Sequence, residues 1–134
     1  MSAASDYLEN KLLDHVLKYS TAPYTAPSTV YVALFTASTG LETNNPSAEI
    51  STSGTAYGRT AITFATASSG SSASNATVTF SAATANWGTI SHVAIMDAST
   101  SGNVLFYGAV TTSKTIESGD TFQISSGNLT ISLA

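Results

Sequence analysis

Charged side chains are scarce in this sequence. Four Lys or Arg and eight Asp or Glu stand among 134 residues, so 9% of the chain is charged, whereas about a quarter of an ordinary soluble domain is. Ser and Thr together number 43, and their neutral hydroxyls cost less to desolvate than Lys or Glu. The charge depletion favours a protein that packs against copies or partners. The alternative is a solitary, extracellular-type β domain with a hydroxyl-rich exterior.

Positive charge is the scarcest of all. The net charge is −4, the isoelectric point is near 4.7 and the cations are scattered along the chain. A sequence without a basic cluster cannot neutralise a row of phosphates or hold an anionic bilayer surface. We therefore expect neither a nucleic-acid partner nor a membrane partner. The four cations are Lys11, Lys18, Arg59 and Lys114.

Cysteine is absent, which excludes disulfides and thiolate metal sites. The two histidines, His15 and His92, stand alone rather than at a metal-binding spacing, and the sequence contains no calcium loop or phosphate loop motif. We expect neither a metal nor any other cofactor.

Long apolar runs are also missing. None approaches the roughly 18–20 residues that a membrane-spanning helix needs, and the N-terminus has neither the basic region nor the apolar stretch of a secretory signal. We expect synthesis in a cytoplasm without secretory export. The length and the hydrophobic fraction of 43% indicate one folded domain, residues 1–134, with a core of its own.

Residues 1–20 have the pattern of one amphipathic helix. Ser5 or Asp6 can cap it, and Asp6 with Glu9 has the spacing of a capping box. Because a helix of this length is marginal alone in water, it must pack on something. Leu13 and Leu17 widen its apolar stripe, which leaves room for a contact with a neighbouring copy as well as with its own domain. The stripe itself consists of Leu8, Leu12, Val16 and Tyr19.

From residue 29 onward the apolar period changes from 3.6 to 2, which predicts strands. Turn signals separate them, including 68–72, 99–103 and 125–128. We expect residues 29–134 to form an all-β, antiparallel sandwich of jelly-roll type, in which 89–98 pairs with 103–110 and 121–125 pairs with 128–134. The predicted strands are 29–35, 56–64, 75–80, 89–98, 103–110, 121–125 and 128–134.

One connection, 36–56, is unusually long for a compact domain, and such loops are often functional. Glu42, Asn45 and Glu49 lie in it and are candidate contact residues. Two interpretations stay open: a solvated excursion, and an arm that contacts another chain.

Catalytic patterns are weak. A triad could be drawn from His92, Asp97 and one of many serines, but no nucleophile elbow accompanies them. Asp97 and Asp120 adjoin turns, where accepting backbone N–H groups is the simpler role. We expect that the protein is not an enzyme and has no catalytic residues.

Trp87, the one tryptophan, precedes a predicted strand. Packing in the core or at an interface is its expected role, since tryptophan is mostly buried. Stacking on a sugar is the alternative.

Five segments carry a resemblance to a known family: LENKLLDH (8–15), TVYVALFT (29–36), ATANWGTISH (83–92), GNVLFYG (102–108) and SGDTFQI (118–124). With them, nearly the entire chain resembles a family of small tailed-phage virion structural proteins, often labelled phage tail fibre proteins. Agreement is weakest in the loop 36–56. The resemblance implies a place in the virion and synthesis in the bacterial host cytoplasm.

Three functions follow from this resemblance and from the length. The chain has no coiled-coil or β-helical repeat, so we favour a capsid cement or decoration protein, bound to the major capsid protein and to copies of itself. A small tail or tail-fibre-associated protein is the alternative, and a carbohydrate-binding module is the third possibility. The number of copies per particle separates the first two.

Overall fold

The computed structural model describes residues 2–18 and 23–133. In this part of the chain one helix and nine strands are formed, and every strand pairing is antiparallel. The elements are β1 (Ala3–Ala4), α1 (Asp6–Leu17), β2 (Val30–Phe35), β3 (Thr60–Ile62), β4 (Ser71–Ala73), β5 (Val78–Thr79), β6 (Gly88–Met96), β7 (Val104–Ile116), β8 (Gln123–Ile124) and β9 (Thr130–Ser132).

The helix is shorter than the predicted 1–20. Ser5, in an extended conformation, is the N-cap, and its hydroxyl accepts a hydrogen bond from the backbone N–H of Leu8 at 3.3 Å. Because Ser5 rather than Asp6 is the cap, Glu9 does not occupy the third helical position, and the Asp6–Glu9 capping box is wrong. The predicted Tyr19 and residue 20 lie outside the described residues.

The residues before the helix form a short edge strand instead. Ala3 and Ala4 pair with Tyr107 and Phe106 of β7, so their backbone groups find partners on the sheet edge. The Ser5 hydroxyl donates to the carbonyl of Val104, which joins the helix start to the same strand. Alanine favours helices, but Ala3 and Ala4 are extended because they pair with a strand distant in sequence.

The main sheet has the order β1-β7-β6-β2-β3. The predicted hairpin of 89–98 with 103–110 is confirmed by the pairing of β6 with β7. Gly102 makes its turn possible: φ is 73°, and a Cβ added there would lie 2.4 Å from Oδ1 of Asp97.

Strand β2, between β6 and β3, is buried on both faces of the sheet. Val32 and Leu34 belong to the large core cluster, whereas Ala33 and Phe35 belong to a second cluster on the opposite face. Leu41, from the long loop, covers this second cluster. Burial on both faces explains why the β2 sequence is continuously apolar rather than alternating.

Two short ribbons form the second layer of the sandwich: β4 with β9, and β5 with β8. The predicted pairing of 121–125 with 128–134 is therefore wrong. The Gly127 N–H donates to the carbonyl of Ser74 at 2.7 Å, so the turn at 125–128 is held by a different ribbon. The chain crosses there from β8 in one ribbon to β9 in the other.

The segment 68–72 is partly strand, not only turn. Ser69 and Gly70 have positive φ and make the tight turn, and Ser71 and Ser72 already belong to β4. Strand β4 was not predicted because its Ser-Ser-Ala sequence has no apolar alternation and is held by its backbone pairing with β9. The all-β sandwich with an N-terminal helix is confirmed.

Candidate interaction surfaces

The predicted helix stripe is divided between the inside and the outside of the domain. Leu8 is 3% exposed in the large core cluster, and Leu12 is half-buried against the same cluster. Val16 is 74% exposed and takes no part in the core cluster, so a contact of Val16 with another chain stays a prediction. Helix α1 contacts mainly β7 and β1.

An apolar surface remains on the outer side of the helix. Leu13, Val16 and Leu17 are 56%, 74% and 73% exposed, and their i, i+3, i+4 spacing places them on one side. We call these three residues the helix patch. It occupies the part of the broad apolar arc that the domain does not use.

Truncating a side chain on the inner side of the helix should destabilise the protein, whereas truncating one on the outer side should not. Leu8→Ala leaves a cavity in the core and should lower the free energy of unfolding by about 2–5 kcal/mol. Val16→Ala removes only exposed surface and should change it by less than about 0.5 kcal/mol. Urea denaturation followed by circular dichroism measures both, and equal losses in the two variants would contradict this division of the helix.

The long loop 36–56 is tied to the sheet and is not a free excursion. Leu41 is fully buried, and the Ile50 N–H donates to the carbonyl of Leu34 at 3.1 Å as the loop returns beside β2. At the tip of the loop, the Asp6 N–H donates to the carbonyl of Glu42 at 2.8 Å. The loop therefore presents a fixed surface to solvent.

The three candidate contact residues of the loop differ in their surroundings. Glu42 and Asn45 are exposed on this fixed surface, where they could reach another chain. Glu49 is turned inward and forms an ion pair with Arg59, with 2.8 Å between Oε1 and Nη2. The Glu49 carboxylate is thus engaged within the chain, and its contact with another chain stays a prediction.

Arg59 links the long loop to the β6–β7 turn. Its side chain is 7% exposed; Nε donates to Oε2 of Glu49 at 2.8 Å, and Nη1 donates to the carbonyls of Ala98 and Ser101 at 2.9 and 2.7 Å. The hydrogen bonds to Glu49 raise the pKa of the guanidinium, although burial acts in the opposite direction. The group stays charged, and four of its five N–H groups donate hydrogen bonds.

Tyr57 completes this network. Its hydroxyl donates to Oε2 of Glu49 at 2.8 Å and accepts the backbone N–H of Leu34 at 3.0 Å. Burial raises the pKa of the Tyr57 phenol far above its usual range, so it remains a donor at neutral pH. Sequence reasoning missed Arg59 and Tyr57, because their partners are distant along the chain.

Trp87 lies in the core. It is 5% exposed, its Nε1 donates to the carbonyl of Thr55 at 2.8 Å, and its ring meets those of Tyr57 and Phe80 edge-on at 5.4 and 6.4 Å. Core packing of Trp87 is confirmed. A buried indole offers no platform for a sugar, so the stacking alternative is wrong.

The titratable residues considered for catalysis have structural partners. Asp97 accepts the backbone N–H of Asn103 at 2.6 Å, and Asp120 accepts that of Glu117 at 2.9 Å, which confirms their predicted role at turns. Nδ1 of His92 lies 2.8 Å from the hydroxyl of Ser91, and His15 accepts the Tyr24 N–H at 3.0 Å. Within 2–18 and 23–133, no three His, Asp or Glu side chains are grouped so as to hold a metal ion. Nor does this part of the chain contain a helix long and apolar enough to cross a bilayer.

An open cleft of about 310 Å³ lies between the main sheet and the β4–β9 ribbon. None of its lining side chains is charged, and we call it the apolar cleft. Sequence reasoning missed it, because its walls come from strands far apart along the chain. Its large apolar side chains are Val30, Phe64, Ile95, Leu105, Phe106, Ile131 and Leu133.

These features define a class of protein: a charge-poor β-sandwich with fixed loops and exposed apolar surfaces. A model of the family described as "Podophage GP4 fiber I protein gp80" matches residues 3–132, and the chain belongs to this family. The resemblance predicted from the sequence is confirmed, and the chain is a structural protein of a tailed-phage virion. None of the curated proteins matches it.

Proposed function

We propose that this protein is a structural component of a podophage fibre, in which it works by binding copies of itself and neighbouring virion proteins. The observation that carries the proposal is the family match over residues 3–132, because the family is described as a fibre protein. The proposal includes no catalytic step, no cofactor and no nucleic-acid or membrane partner. Synthesis in the cytoplasm of the host remains a prediction.

The construction of the domain supports a mechanical role. Arg59 and Glu49 fasten the long loop to the β6–β7 turn, and the Ser5 hydroxyl fastens the helix start to β7. Fixed loops lose little conformational entropy when they bind, so a partner gains affinity from this rigidity. The low charge of 9% leaves few ions to desolvate or pair at each contact. Association should therefore depend only weakly on salt.

A capsid cement protein is the second candidate function. The sandwich is compact and the sequence has no repeat that would lengthen it, which suits a clamp between neighbouring capsid subunits. In that role the major capsid protein would be the main partner, and weak contacts repeated over the shell would add by avidity. The fibre is favoured because the family description names a fibre.

Counting the copies of this chain per particle separates the two candidates. We expect a count on the order of six to a few tens, set by the symmetry of a tail with its fibres. Purified virions, digested and measured by mass spectrometry against isotope-labelled peptides of this chain, give the number. The major capsid protein, counted in the same digest, calibrates the copies per particle. A count on the order of hundreds, in a fixed ratio to the major capsid protein, would instead support the cement role.

A further inference from the structure

We propose that the helix patch of one copy binds in the apolar cleft of a second copy, so that the chains associate head to tail. The inference deepens the proposed function and rests on it, since it names the contact by which copies would join. It uses two separate sets of residues, the helix patch on α1 and the apolar cleft, whose rim includes Leu133.

Among the described residues, 2–18 and 23–133, the large hydrophobic side chains that are exposed all lie on one of these two surfaces. Leu13, Val16 and Leu17 form the helix patch, and Leu133, which is 55% exposed, lies on the rim of the cleft. Elsewhere on the described chain the large apolar side chains are at least partly covered. Apolar surface that is concentrated in this way marks contact sites.

The shapes and charges of the two surfaces match. The patch is a convex row on a helix, and the cleft is a groove of about 310 Å³ with no charged residue in its lining. The three patch residues are also uncharged, so their burial in the cleft leaves no ion unpaired. An amphipathic helix that lays an i, i+3, i+4 row into an apolar groove is a recurrent way for chains to associate.

The exposed area supports a second copy as the occupant. The chain exposes 7443 Å², whereas a compact chain of 13.7 kDa exposes about 6600 Å². The excess of roughly 800 Å² is of the same order as the area that each partner contributes to a standard interface. Since one chain carries both the patch and the cleft, a second copy supplies the complement without any other protein. A contact between two different surfaces builds a ring if its rotation closes and a filament if it does not.

Two single substitutions and a control test this contact. Val16→Asp places a charge on the helix patch, and Leu133→Asp places one on the cleft rim. Thr112→Asp adds the same charge at an exposed position of β7 outside both surfaces. Sedimentation velocity over a concentration series measures association, and thermal melting establishes that each variant is folded.

We expect wild type and Thr112→Asp to form species that grow with concentration. Val16→Asp and Leu133→Asp should each raise the concentration of half-association by roughly tenfold or more, because either charge would be buried without a partner. Mixing the two variants should restore a dimer that does not grow further, since the intact helix patch of one then meets the intact cleft of the other.

Three results would overturn the contact. They are a wild-type chain that stays monomeric throughout, a Leu133→Asp variant that associates like wild type, and a mixture that remains monomeric. If the wild-type chain is monomeric in solution while virions carry a few tens of copies or fewer, the contact fails and the fibre function stands. If the mixture dimerises while virions carry hundreds of copies, the contact stands and the fibre function fails.

Discussion

Arg59→Met should lower the free energy of unfolding by about 3 kcal/mol. The substitution removes a side chain that is 7% exposed and leaves the Glu49 carboxylate without its ion-pair partner. The carbonyls of Ala98 and Ser101 also lose a donor. Breaking a buried pair by removing one partner costs about 3–5 kcal/mol, and the 25% exposure of Glu49 places the expected loss at the low end. Chemical denaturation measures the loss.

The double variant Arg59→Met with Glu49→Met separates the ion pair from simple packing. Replacing both partners by apolar side chains removes the unpaired charge, so the double variant should be more stable than Arg59→Met alone. Loss of the Tyr57 hydrogen bond to Glu49 should keep it below wild type. An Arg59→Met variant with the wild-type denaturation midpoint would show that the network does not hold the loop. So would a double variant that loses the sum of the two single losses.

Trp87→Ala should be at least as damaging, with a loss of about 3–5 kcal/mol. The indole is 5% exposed and contacts Tyr57 and Phe80, so alanine leaves a cavity in the aromatic cluster. Trp87→Phe keeps a ring in place but removes the hydrogen bond to the Thr55 carbonyl, and should cost less, about 1–3 kcal/mol.

Thermal melting followed by circular dichroism measures both tryptophan variants, with Val16→Ala as a matched surface control. The expected order of melting temperatures is Val16→Ala, then Trp87→Phe, then Trp87→Ala. A Trp87→Ala variant that melts with the control would contradict the core role of the indole.

The parts of the fold that could be predicted are those with local signals. The run TVYVALF predicted β2 because apolar β-branched and aromatic residues stand in sequence, and the short glycine-containing turn at 99–103 predicted the β6–β7 hairpin. The helix was predicted from its 3.6-residue period, with Ser5 named as a possible cap.

The parts that could not be predicted depend on pairings between distant residues. The segment 121–125 pairs through β8 with β5 and not with its neighbour in sequence, and β9 pairs with β4. Strand β4 has no apolar pattern at all, and Ala3–Ala4 became a strand only because β7 offers an open edge. Periodicity describes one segment at a time and cannot identify its partner.

The contact surfaces could be predicted only in part, for the same reason. The breadth of the apolar arc on the helix was visible in the sequence, but which half faces the domain depends on where β7 lies. From the sequence alone, Glu49 is a carboxylate in a loop, and only the folded structure places Arg59 beside it. The apolar cleft has no local signal, since its walls come from both layers of the sandwich.

A cryo-electron microscopy reconstruction of the intact virion tests the central claim most directly, because the sandwich with its helix can be fitted to density as one rigid unit. The proposed function predicts density for this chain within a fibre, with neighbouring copies in repeated contact. Density for this chain spread over the capsid exterior, with fibres built entirely from other proteins, would contradict it.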